Sequence, residues 1–155
     1  MKLLTSIIFL LFINFSFSQF SANFDFPVSC MGSELDGTIT LESFGKGRNY
    51  ADASEQAKKN AVMAVIFQGV KNGSNECSRD PLILNPNTRT TKEDYFDEFF
   101  KDNGEYLKYV SLKDEKVSNK VKRNSKKAEE FQQRKVVVRV DRSALKKRLK
   151  SDNIE

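Results

Sequence analysis

The 155-residue chain has no histidine and no tryptophan, and only two cysteines and three prolines. Without histidine it lacks the commonest general base and metal ligand near neutral pH. Two cysteines without a histidine cannot make the usual four-ligand zinc site. No G-x-S-x-G nucleophile elbow occurs. Beyond the first fifteen or so residues there is no apolar run of the ~20 residues needed to span a bilayer. No catalytic residue, metal ligand or cofactor is therefore assigned, and an enzyme is not expected. An uncharacterised enzyme built on carboxylates is the least favoured alternative.

The weak catalytic signals that remain have simpler explanations. Gly45-Lys46-Gly47 lies between a strand-like and a helix-like stretch, where free helix N–H groups attract anions. The dinucleotide fingerprint would need glycine where Tyr50 stands, and the spacing of a P-loop is absent, so a plain turn that ends the strand is expected. Glu93, Asp94, Asp97 and Glu98 would lie together on a helix, but they oppose Phe96 and Phe100 and read as its wet face.

The first residues are a targeting pattern. Met1-Lys2 supplies a positive charge, Leu3 to Phe15 is almost wholly apolar, and Ser16-Phe17-Ser18 places small residues two apart. This is a secretory signal peptide over residues 1–18, with cleavage expected before Gln19. The apolar core of about 13 residues is short for a membrane span. Removing 18 residues from 155 leaves 137, and loss of Lys2 takes the net charge from +5 to +4. That length suits one domain, residues 19–155, with one core.

Export implies an oxidising compartment, where two thiols most simply form one disulfide, Cys30–Cys77. Acylation of Cys30 as a lipoprotein anchor is rejected, because Asp25 and Pro27 separate it from the apolar segment. The expected location is periplasmic or extracellular.

The elements follow from periodicity. Phe20, Phe24 and Phe26 form an extended arm expected to lie on the core. Thr38 to Phe44 alternates, with Ile39 and Leu41 inward and Thr38, Thr40 and Glu42 outward. Asn49 to Phe67 is helical, capped by Asn49 and closed by Gly69 or by Gly73, with Ala53, Ala57, Ala61 and Val65 as its buried ridge. Glu55, Gln56, Lys58 and Lys59 are placed on its outer face. Residues 71–90 read as a long loop that Cys77 would pin. Thr90-x-x-Glu93 suggests a capping box for a helix carrying Tyr95, Phe96, Phe99 and Phe100, ended by Asn103-Gly104. Tyr106 to Leu112 and Val136 to Val140 read as strands. Asp141 caps a last helix with Leu145 and Leu149 inward and Ile154 closing over its end. The fold expected is α+β: a small antiparallel sheet of three to four strands with two to three helices on one face.

Residues 113–135 form a polar, basic arm or loop. Its Lys120, Lys122, Arg123, Lys126 and Lys127, with Lys146, Lys147 and Lys150 of the last helix, are the candidate contact for an anionic partner. Nucleic acid is not the expected partner, given export and few interleaved aromatics. An envelope protein, an anionic envelope polymer or lipid headgroups fit better.

The strand with Phe44-Gly45-Lys46-Gly47, the alanine-rich helix, and Val136-Val138-Val140-Asp141 followed by Leu145 and Leu149 together resemble one family. This is the small bacterial envelope domain of surface lipoproteins, also found at the N-terminus of the flagellar T-ring protein. The resemblance covers residues 37–69 and 135–150. It implies a non-enzymatic role in envelope structure or assembly, and the absence of a lipobox sets this chain apart from the lipoprotein members.

Overall fold

A computed structural model describes residues 27–113 and 132–154. The segment expected to be a signal peptide (residues 1–18), the expected arm with Phe20, Phe24 and Phe26, and most of the expected basic arm lie outside the described residues.

Among the described residues the fold is α+β around a five-stranded sheet. Its strands are β1 (Ser29–Ser33), β2 (Thr38–Gly47), β3 (Asn72–Gly73), β4 (Val110–Leu112) and β5 (Gln132–Asp141), in the order β3-β1-β2-β5-β4. All pairs are antiparallel except β3 with β1. The sheet is thus mixed and larger than three to four antiparallel strands. The extra strand is two residues long, too short to carry an alternation. It forms because Gly73, at φ +90°, turns the chain against the backbone of Cys30.

The helices are α1 (Tyr50–Met63), α2 (Thr88–Thr91), α3 (Glu93–Phe100) and α4 (Arg142–Ser151). A π-helical turn, Ala64–Gln68, prolongs α1, and a 3-10 turn, Glu105–Tyr109, precedes β4. The expected strand from Tyr106 is therefore mostly this turn. Buried Tyr106 uses it to aim its ring at Phe100, 5.8 Å away between centroids.

Ile39, Leu41 and Ser43 of β2 stand opposite Val140, Val138 and Val136 of β5, and all six are buried. α1 covers this face: Ala53, Ala57 and Ala61 are fully buried and Val65 nearly so. The four-residue spacing puts the ridge on one side of the helix. Its methyl-sized side chains let the helix backbone come close to the strand.

Gly45-Lys46-Gly47 does not end the strand, which runs on through Gly47. A Cβ on Gly45 would sit 2.0 Å from the carbonyl oxygen of Ala53, and one on Gly47 2.4 Å from the Ala53 nitrogen. The glycines thus serve the close strand–helix crossing. Two polar bonds stitch it: Ser43 Oγ donates to the Ala57 carbonyl and Asn60 Nδ2 to the Phe44 carbonyl, both at 2.8 Å. Each stabilises by roughly 1 kcal/mol.

The helix ends follow local chemistry. Asn49 Oδ1 accepts from the Asp52 N–H at 2.9 Å, and Asp141 Oδ1 from the Ala144 N–H at 2.8 Å. Gly69, at φ +72°, closes α1 by donating to Ala64. The Val65 and Ile66 carbonyls then accept from Leu82 and Ile83 at 3.0 and 2.9 Å, so the 71–90 loop satisfies the helix end. The Cys30–Cys77 disulfide is formed, with sulfurs 2.03 Å apart, and it ties this loop to β1.

Three smaller expectations are corrected. Lys92, without a side-chain cap, precedes α3, because Thr88–Thr91 already forms the short helix α2. α3 stops at Phe100, ahead of Asn103-Gly104. Thr40, placed on the wet face, is buried beside Arg139, which pairs across that face with Glu34 at 3.0 Å.

Candidate functional site

The aromatic face of α3 helps form a surface groove. Phe96, Phe99 and Phe100 are buried and Tyr95 is half-buried. Phe99 stacks on Tyr95 from its own helix and on Tyr109 of the 3-10 turn, each with centroids 6.0 Å apart. The turn and α4 flank α3 and leave a groove of about 650 Å³ floored by Tyr95 and Phe99. That volume lies within the usual range for ligand sites.

An ionic chain runs along one wall. Lys108 Nζ meets Glu105 Oε1 at 2.8 Å, Glu105 Oε2 meets Arg148 Nη2 at 3.0 Å, and Arg148 Nε lies 2.7 Å from Asp152 Oδ2. That last contact is off the hydrogen-bond direction, so Arg148 Nε is buried with an ionic neighbour and no directed bond. The Tyr95 hydroxyl donates to the same Asp152 oxygen at 2.7 Å. Burial, with this bond to a carboxylate second, pushes the Tyr95 phenol well above its usual range. The same bond holds the Asp152 carboxyl below its ordinary value. A neutral phenol, a carboxylate and a fixed guanidinium can hold a polar ligand in place, and none of them is poised to exchange protons near neutral pH.

A second polar cluster gathers around Lys59. Lys59, expected on the outer face of α1, is instead buried, with Nζ 2.7 Å from Asp102 and 5.6 Å from the Tyr106 ring centre. Tyr106 donates to Glu55 Oε1 at 3.1 Å. The lysine lays its stem along the apolar surface and leaves its ammonium at the rim, where Asp102 is exposed. Asp102 is held below its ordinary carboxylate value chiefly by the Lys59 hydrogen bond.

Of the residues singled out in the sequence, Lys146, Lys147 and Lys150 are all exposed on α4, and none forms an ion pair among the described residues. Lys120, Lys122, Arg123, Lys126 and Lys127 lie outside the described residues. On α3, Glu93 and Asp94 face solvent, Asp97 is half-buried and Glu98 pairs with Lys101. Among the described residues, no group of three or more histidine, cysteine, aspartate or glutamate residues could hold a metal ion. No helix of the described residues is long and apolar enough to cross a membrane.

The groove was not legible in the sequence, because Tyr95, Glu105 and Arg148 belong to three separate elements. The Arg148–Asp152 spacing of four, at the end of a helix, was the available signal.

No protein family matches this chain, and neither does any characterised protein or solved structure.

Proposed function

We propose that this chain is an exported, non-enzymatic binding or assembly module of the bacterial envelope, and that it meets its partner through the lysines of its C-terminal third. One observation carries the reading. On α4, Arg148 is taken up by Glu105 and Asp152, whereas Lys146, Lys147 and Lys150 are exposed with no carboxylate beside them among the described residues. Three unpaired cations on one helical face are free to engage an anionic surface. The Cys30–Cys77 disulfide supports export, since such bonds persist in oxidising compartments. Lys120, Lys122, Arg123, Lys126 and Lys127, outside the described residues, belong to the same proposed contact by their charge alone, and the resemblance to envelope assembly domains is in keeping with it.

The test is recovery of the protein with its partners from envelope fractions. The Lys146→Glu, Lys147→Glu, Lys150→Glu variant should lose a specific partner that the parent retains. An unchanged set of partners would remove α4 from the contact.

A second reading shares the same residues: the partner is an anionic polymer or a lipid headgroup rather than a protein. It is favoured if anionic vesicles bind the protein and binding weakens steeply with salt, as screening of exposed charges requires. Salt-insensitive binding, or none, eliminates it.

A further inference from the structure

We propose that one end of this fold is self-complementary, and that a second copy of the chain docks there by reciprocal insertion of the β1–β2 hairpin tip. The knob is Leu35, whose side chain is wholly exposed, at 111% of its reference area. Its turn is braced: Glu34 N donates to the Thr38 carbonyl at 2.8 Å, Gly37 N to the Glu34 carbonyl at 3.1 Å, and Thr38 N to Asp36 Oδ1 at 2.8 Å. Gly37 takes φ +86°, which a glycine tolerates. The leucine is therefore held out from the surface by a fixed turn.

The hollow is the groove floored by Tyr95 and Phe99. Asp94, Glu98 and Glu105 balance Lys101, Lys108 and Arg148 around it, so an uncharged side chain enters without facing a net charge of either sign. Tip and groove are neighbours. Lys108 lines both the groove and the adjoining hollow bordered by Glu34 and Asp36. A face that carries both a knob and a matching hollow can pair with its own copy across a two-fold axis, each tip entering the other's groove.

Charge favours the same occupant. Asp36 accepts from Thr38 and feels the charge of Arg139 but makes no ion pair among the described residues, whereas Lys101 and Lys108 hold only i,i+3 partners at the surface. Such pairs are weak, so either ammonium can turn to Asp36 of the second copy. This contact is independent of the α4 lysines, and either proposal can fail without the other.

The experiment is sedimentation of the exported, processed protein from micromolar to millimolar concentration. The parent should shift from monomer to dimer. Leu35→Ser should weaken association by roughly ten- to a hundredfold for each knob buried, and Lys101→Glu with Lys108→Glu should weaken it as well. These positions are exposed, so thermal melting should be unchanged. Concentration-dependent amide shifts in the parent give a readout without substitution, and they should appear together at Leu35 and around Gly104–Lys108. A parent that stays monomeric, a dimer unaffected by Leu35→Ser, an open-ended series of larger species, or shifts confined to other surfaces would each overturn the proposal.

Discussion

Single residues fix the closest approach in this molecule. Gly45 lies against the backbone of α1, and even a methyl group there would meet the Ala53 carbonyl at 2.0 Å. Neither side can yield cheaply, because both are backbone within regular elements. Gly45→Ala should destabilise the fold by about 2 kcal/mol, as overpacking of a close contact does. Lys46→Ala, on the exposed neighbour, should change stability by no more than ~0.5 kcal/mol. Urea unfolding of the two variants measures the contrast, and equal midpoints would show that the helix rides further from the strand.

Tyr95 ties stability to pH at both extremes. Its phenol is raised above the ordinary value of 10.0, so the folded chain keeps a proton that the unfolded chain releases. That contribution is complete below pH 10 and fades as pH rises beyond it. Asp152 is lowered below 3.8, so its contribution is complete above that pH and is lost as pH falls. Since the Tyr95 bond is the leading cause of the Asp152 shift, Tyr95→Phe should flatten both limbs of a stability profile. Tyr106, also raised by burial, leaves part of the alkaline fall in place. Chemical denaturation from pH 3 to pH 11 reads both limbs, and a profile unchanged by the substitution would contradict the assignment.

At the scale of elements, the disulfide and the 71–90 loop act together. The bond closes a loop between positions 47 apart, and Leu82 and Ile83 of the same segment satisfy the end of α1. The double variant Cys30→Ser, Cys77→Ser should lose roughly 4 kcal/mol by the chain-entropy argument. Hydrogen exchange at Leu82 and Ile83 should rise more than exchange within β2 and β5. Uniform acceleration would show instead that the loop has no stability of its own to lose.

Elements with a repeating side-chain pattern were legible in the sequence. The alanine ridge of α1, the valines of β5, the Asn49 and Asp141 caps and the Leu145–Leu149 face all stand where periodicity places them. Elements shaped by contacts distant in sequence were not. Gly45 and Gly47 resemble a turn until α1 is known to press on them. Lys59 resembles a surface lysine until Tyr106 and Asp102 are seen to enclose it. The 3-10 turn at Glu105–Tyr109 alternates like a strand, although packing of Tyr106 decides its course. Sequence spacing marked the lysines of α4 but could not show that Arg148 beside them is already paired. The groove needs three elements at once, and no local window spans them.

At the scale of the whole molecule, a disulfide-tied core carries the exposed lysines of α4 on its surface. The proposed envelope role requires that the chain meets its partner outside the cytoplasm, so export is the claim to test first. The most direct measurement is the intact mass of the protein recovered from separated cell fractions, unreduced and after alkylation. The account predicts a species in the exported fraction that begins at Gln19, has no alkylated thiol and gains two protons on reduction. A cytoplasmic species that retains residues 1–18, with Cys30 and Cys77 both alkylated, would contradict it.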